Sequence, residues 1–360
     1  MFCIAAFMIF SVIGIFSARY RTLAIRAWGC TARRLTFRPC EIGFKEELKS
    51  QLLSYFIVRR PRLAHFLDRS IEILALVFVV LMLWSTATVA TSALNLYVYD
   101  TCNPGGVQSC ALGGEACSIN SKKLGFWESI PQGKTLEWAV QEARGLTELI
   151  TRVPDRMRSW EAAEYVTPNN SYYEPFDPNK KIALEILDPG CVFCAKQFKN
   201  IKEAGFERRY NLTYVAYPIS NLDNEQSYKF PHSMLIARYL EAIKRWPPTS
   251  ARDKRVPLDW QMLERLFTGT DKTGIAYQEK FSTILTEAEV TALLHQWLAE
   301  FGYRDAEISK IVSQLSSSEV TTALEQNREL VEKVIRTIKI PTLLFDGRRY
   351  DRVVRVDQLK

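Results

Sequence analysis

Histidine is scarce in this chain: there are three in 360 residues, and only His232 and His295 lie beyond residue 100. Neither has ligand-like neighbours, so a tetrahedral zinc centre at Cys191 and Cys194 would have to draw its two further ligands from Cys102, Cys110 and Cys117, a disfavoured reading. No metal is expected, and both imidazoles are expected in structural or surface roles. Internal repeats and low-complexity tracts are lacking too. Net charge is missing from most of the length. Residues 17–70 hold twelve Lys or Arg against four acidic residues, and with Glu72 they account for the whole formal net charge of +7. Residues 100–360 are therefore neutral. A nucleic-acid partner needs a basic face that releases counterions from phosphates, and none is expected.

What the chain does have is an uneven distribution of hydrophobicity. Residues 73–98 carry no ionisable side chain except Tyr97, and the run from Leu74 to Trp84 is wholly apolar. A bilayer is spanned by roughly 20 such residues, so a transmembrane helix is expected over 73–95. Residues 1–17 are also uncharged and apolar, and no small-residue cleavage site follows them. A retained span over 1–17 is therefore favoured over a signal-peptide core or the remnant of a longer N-terminus. The basic stretch between, residues 17–70, is expected as a cytoplasmic loop that touches the lipid bilayer. The second span then delivers everything after Tyr99 to the extracytoplasmic side, so the expected location is the cell membrane.

Eight cysteines sort along this topology. Cys30 and Cys40 fall in the basic loop and are expected as unpaired thiols in a reducing compartment. Cys102, Cys110 and Cys117 lie in a Gly-rich stretch just beyond the membrane, and three is an odd number for a disulfide framework. A structural disulfide within that loop is preferred over a second dithiol that relays electrons, with Cys3 as a further partner at the membrane edge.

Three regions follow: a membrane anchor over 1–99, a Cys-containing loop, amphipathic helix and linker over 100–175, and a folded domain over 176–360. Apolar spacing over 136–157 predicts the amphipathic helix, broken near Pro154, and two Pro-rich stretches near 168–178 predict the linker. Then come a strand over 182–187, a helix over 191–204 and a strand over 212–219, the pattern of a βαβ unit. Helices are predicted over 233–246, 259–267, 287–301 and 321–338, and a hairpin over 342–345 and 350–356 turning at Asp346-Gly347.

Cys191 and Cys194 sit where the first strand gives way to the helix. Two cysteines on a first helical turn bring their sulfurs within disulfide reach, and the helix N-terminus stabilises the first as a thiolate. Cys191 is the expected nucleophile and Cys194 its resolving partner.

These residues resemble the thioredoxin-like DsbA superfamily of extracytoplasmic thiol-disulfide oxidoreductases. The resemblance covers roughly 180–360 and is carried by Glu185 through Cys194, by the helical stretch between the βαβ unit and the hairpin, and by Ile340-Pro341-Thr342. It implies an α/β thioredoxin-like fold with a large helical insertion at about 221–336, preceded by N-terminal transmembrane helices. It also implies a buried acid at Glu185 that exchanges protons with Cys194, a cis bond before Pro341, and contact of Ile340, Pro341, Thr342, Val192 and Phe193 with substrate. A carboxyl in an apolar strand has a raised pKa and suits that proton role. Two departures stand out. Val192-Phe193 supplies no cation beside Cys191, so a milder oxidant is expected; a Cys191 pKa at or below about 4 would contradict this. The chain ends at Lys360, where the family adds a further helix. The function implied is disulfide donation to exported cysteine-containing proteins, with a membrane redox partner and no cofactor beyond the redox-active disulfide. A reductase or isomerase, and a non-catalytic interaction module, are the alternatives.

Overall fold

The computed structural model describes residues 18–35, 61–99, 115–119, 125–167, 170–221, 227–249 and 256–360, with single positions at 7 and 11. The expected span over 1–17 and Cys3, Cys40, Cys102 and Cys110 fall outside the described residues. The chain divides into two compact units, Met1–Thr91 and Ser92–Lys360.

The first unit contains α1 (Ala18–Leu35) and most of α2 (Pro61–Tyr99). Within α2, Leu76–Tyr99 is long and apolar enough to cross a membrane: its 24 residues reach about 36 Å at the helical rise. The basic stretch expected as a loop is helical at both ends, because its Ala, Leu and Arg residues are strong helix formers. Cys30, expected as a free thiol, is buried on α1 and disulfide-bonded. Compartment reasoning says which thiols a cell keeps reduced and is blind to which sulfurs the fold brings together.

In the second unit β1 (Cys117–Ser118), α3 (Phe126–Ser129) and α4 (Thr135–Met157) come first. The break expected near Pro154 does not occur, and α4 runs through it. Pro154 stands in the last turn, so only the Ile150 carbonyl loses its helical donor. Next come β2 (Ile182–Leu187), α5 (Val192–Ala204) and β3 (Asn211–Ala216), followed by α6 (Ser233–Arg245), α7 (Leu258–Thr268), α8 (Glu287–Glu300), α9 (Asp305–Gln314) and α10 (Ser318–Glu329). The unit closes with β4 (Lys339–Ile340), β5 (Thr342–Phe345), β6 (Arg348–Tyr350) and the single turn α11 (Val356–Leu359).

The main sheet has the order β3-β2-β5-β6. β2 lies parallel to β3, with Glu185 opposite Tyr214, and antiparallel to β5, with Ile186 opposite Thr342. This βαβ unit followed by a ββα unit is the topology of the thioredoxin-like fold that the resemblance implies. β6 begins two residues earlier than expected. Asp346 and Gly347 both take positive φ, 49° and 69°, a two-residue primed turn that forces Arg348 opposite Phe345. β3 stops at Ala216, before Pro218, which has no N–H to give a ladder. α10 begins at Ser318 because the Ser317 hydroxyl accepts from Val320 N, and it widens into a π-helical stretch over Leu330–Ile335 instead of continuing to residue 338.

Within the stretch expected as a linker, Tyr173 is buried and its N–H donates to Leu212 O. Just before that stretch, Trp160, Ala162 and Tyr165 are buried too, and Trp160 N donates to Gly347 O. Both this stretch and the βαβ unit belong to the compact unit Ser92–Lys360. Trp260 of α7 packs against Tyr173, Phe198 and Tyr214 with ring centroids 5.4, 6.2 and 4.7 Å away. Each such pair adds about 0.5–1.5 kcal/mol beyond burial. Phe198 lies on α5, so the insertion locks the back of the helix that carries the cysteines.

Candidate active site

Cys191 is the N-cap of α5, in extended backbone at φ −82° and ψ 122°. Its carbonyl accepts from Cys194 N at 3.1 Å and Ala195 N at 3.2 Å, so the helix opens directly beneath its side chain. The sulfur is buried and bonded to Cys117, 74 residues earlier, with the Cα atoms 6.9 Å apart. Cys194 is a free, buried thiol. One expectation is corrected: Cys117 does not pair within its own loop. Cys191, the expected nucleophile, is joined to Cys117 and not to Cys194. Local helix geometry puts Cys194 in reach of Cys191, but strand pairing delivers a third sulfur to the same atom, and only tertiary structure shows it.

That pairing runs along β4. Cys117 lies antiparallel and opposite Ile340, and Ser118 opposite Lys339. Ile119 N donates to Ile338 O and Val353 N donates to Glu115 O, both at 2.8 Å. Lys229 Nζ donates to Ser118 O at 3.0 Å, and Lys196 meets Glu115 at 2.5 Å.

The Ile340–Pro341 bond is cis, as the resemblance implies, and both residues are buried. The Thr342 hydroxyl is held within the framework. It donates to Asp351 Oδ1 at 2.9 Å or Lys339 O at 2.7 Å and lies 2.8 Å from Thr337 Oγ1, while Arg349 Nε holds Asp351 at 2.9 Å. Of the dipeptide between the cysteines, Val192 is 53% exposed and Phe193 is partly buried against the core.

Two acids lie under this arrangement. Glu185 sits in mid-β2, fully buried, with neither carboxyl oxygen hydrogen-bonded. Burial alone pushes its pKa up to about 8, in the direction expected for a carboxyl in an apolar strand. The Cys194 thiol is also raised well above its ordinary value, first by burial and then by the negative charges of Glu185 and Asp188. Asp188 N donates to its sulfur at 3.4 Å, which opposes that shift.

Asp188 is the residue that sequence reasoning passed over. It is fully buried and accepts from Gly190 N and Ile219 N, each at 2.7 Å, and from the Ser233 hydroxyl. Burial raises its pKa to about 6 against those bonds, so it is a carboxylate at neutral pH. The signal was present: an aspartate two residues before a glycine bonds its own backbone as an Asx-turn. The insertion supplies further supports. Gln278 Nε2 and Ser282 Oγ donate to Gly190 O at 2.8 and 3.1 Å. A Cβ on Gly190 would lie 2.4 Å from Phe230 Cβ, so only glycine fits there.

Both histidines of this unit are held by framework contacts, His232 with Leu285 O and His295 with the Tyr239 hydroxyl, each at 2.9 Å. Chemically, the site contains one disulfide, one buried thiol and one unpartnered carboxyl.

No family model matches the chain, and no curated protein matches it. Among solved structures it is similar to a thioredoxin-like oxidoreductase from Silicibacter pomeroyi DSS-3, at 16% identity over 54% of this chain and 90% of that one, with a TM-score of 0.36. It is similar to the thiol-disulfide exchange protein alpha-DsbA2 from Wolbachia pipientis, at 12% identity over 52% and 82%, with a TM-score of 0.35. It is also similar to MdbA, a thiol-disulfide oxidoreductase from Corynebacterium diphtheriae, at 12% identity over 54% and 95%, with a TM-score of 0.37. These likenesses are distant, and the chemistry of the site rests on its own residues.

Proposed function

We propose that this chain is a membrane-anchored, extracytoplasmic thiol-disulfide oxidoreductase that donates disulfides to exported cysteine-containing proteins. The observation that carries the reading is Cys191 in disulfide linkage at the N-terminus of α5, with the Cys194 thiol one turn on and Glu185 buried beside it. In the donating form, Cys191 and Cys194 share the disulfide. A client thiolate attacks Cys191 Sγ, the Cys191–Cys194 bond breaks, and the leaving Cys194 sulfur takes a proton. A second client thiolate then attacks the client sulfur, forming the client disulfide and releasing Cys191 as thiolate, which the positive end of the helix stabilises.

Glu185 is the proton donor and acceptor for Cys194: a carboxyl poised near neutral pH serves both directions. Val192 offers exposed apolar surface at the rim, and Ile340 offers backbone for an extended client. The apolar stretch of α2 anchors the domain in the lipid bilayer, and the basic residues before it hold the N-terminal side in the cytoplasm. Re-oxidation falls to a membrane redox partner. The same sulfurs run as a reductase or isomerase if that partner supplies electrons. The Cys117–Cys191 bond favours one other reading, a permanent structural staple.

The test is oxidation of a reduced dithiol peptide by the full-length chain in detergent micelles. Disulfide transfer is expected with the parent chain and its loss with Cys191→Ser; equal peptide oxidation by both refutes the reading.

A further inference from the structure

Residues 115–119 run as a client would. They are extended, pair antiparallel with the residue before Pro341, and present a cysteine that is covalently bound to Cys191. Their other anchors include exchangeable ones. Among them are main-chain or carbonyl hydrogen bonds, Ile119 N to Ile338 O, Val353 N to Glu115 O, and Lys229 Nζ to Ser118 O. Another is the Lys196–Glu115 pair, whose two side chains are 52% and 44% exposed and which therefore adds little. The ladder is only two residues long; Cys117 and Ser118 are buried and Ile119 packs on the core, and the segment cannot leave Cys191 until the covalent bond breaks. The thiol able to break that bond, Cys194, stands free in the first turn of the same helix.

We infer that Cys117 is a third redox-active cysteine of this protein, and that its segment is a tethered occupant of the client site, moved off Cys191 by Cys194. The inference deepens the oxidoreductase reading and rests on it. In the exchange, the ionised fraction of Glu185, a minority at neutral pH, takes the Cys194 proton, and the Cys194 sulfur attacks Cys191 Sγ. The Cys191–Cys194 bond forms as the Cys117–Cys191 bond breaks. The electron pair stays on the Cys117 sulfur, which takes a proton from water while Glu185 returns its own to solvent. One disulfide is exchanged for another and no oxidant is consumed. The chain thus alternates between a closed isomer, with Cys117 on Cys191, and an open one, with the disulfide between Cys191 and Cys194. Only the open isomer takes a client.

A tethered competitor acts at an effective concentration of about 1 mM, so a client at about 10–100 μM is held back roughly 10- to 100-fold. The test uses the full-length chain in detergent micelles, acid-quenched, alkylated and mapped by mass spectrometry, together with the rate of oxidation of a reduced dithiol peptide. The parent chain is expected to yield both Cys117–Cys191 and Cys191–Cys194 linked peptides, with the balance shifting when the peptide is added. Cys117→Ser is expected to oxidise the peptide about 10- to 100-fold faster. If Cys117→Ser transfers disulfides at the parent rate, or the parent chain yields no Cys117–Cys191 peptide, the inference is overturned and the oxidoreductase stands. A Cys117–Cys191 linkage that never yields to Cys194 or to the peptide also overturns it, in favour of a staple. If neither chain oxidises the peptide, the oxidoreductase reading falls, and the inference with it.

Discussion

Glu185 and Asp188 are three residues apart, equally buried and both under Cys194, yet their surroundings are opposite. Asp188, at the shoulder where β2 turns into α5, is saturated by Gly190 N, Ile219 N and the Ser233 hydroxyl. Glu185, on the floor, has no hydrogen bond at all. Burial raises both carboxyls, one to about 6 and the other to about 8. At neutral pH the shoulder is therefore charged and the floor mostly neutral. Donors, and not depth, decide which buried acid holds its charge. The shoulder is framework; the floor is free to move a proton.

The largest effect that sharpens this contrast is expected at the shoulder. Asp188→Ala leaves two backbone N–H groups and a hydroxyl unsatisfied, a loss of about 3–5 kcal/mol in denaturant unfolding. A near-neutral result would break the comparison. At the floor, Glu185→Gln is expected to slow disulfide exchange with a dithiol peptide about 100-fold, with little loss of stability. If Glu185→Gln unfolds the protein while exchange per folded molecule is unchanged, the two acids have been assigned the wrong way round.

The pH dependence follows with its sign. The folded pKa of Glu185 is raised from 4.5 to about 8, so the folded state holds a proton that the unfolded chain has already lost. Its contribution to stability is fully present below 4.5 and is lost as pH rises to about 8. Unfolding midpoints are expected to fall across that window in the parent chain and to lose that component in Glu185→Gln. A parallel fall in both would remove Glu185 as the cause. Smaller effects test the surroundings. Gly190→Ala drives a methyl into Phe230 and is expected to cost about 1–3 kcal/mol. Val192→Ala, at an exposed rim position, is expected to change stability by less than about 0.5 kcal/mol; a larger change would mean that the rim is part of the framework.

The local parts of this site were legible in the sequence. The strand ending at Leu187, the cysteine pair opening a helix, the Asp346-Gly347 turn and the insertion all carry short-range signals, and burial of Glu185 follows from its place in an apolar strand. The cis bond before Pro341 came from the resemblance. What sequence could not supply depends on distant partners. Cys117 meets Cys191 across 74 residues because a two-residue strand finds β4, and no spacing rule encodes that. The Thr342 hydroxyl is held by Thr337, Lys339 and Asp351, a network that includes a partner nine residues on and that no short-range pattern announces. Residues 168–178 read as a linker from their prolines and asparagines, but Tyr173 buries its ring in the core. Asp188 was the true oversight, since its Asx-turn with Gly190 is a local signal.

The central claim is that Cys191 exchanges disulfides with clients and Cys194 resolves them. It is tested most directly by expressing the full-length Cys117→Ser/Cys194→Ala variant, which lacks both sulfurs that compete with a client for Cys191, quenching cells with acid and searching for proteins disulfide-bonded to it. Cysteine-containing exported proteins held through Cys191, and absent from the triple variant that also carries Cys191→Ser, are the expected result. A Cys117→Ser/Cys194→Ala chain that captures none through Cys191 would contradict it.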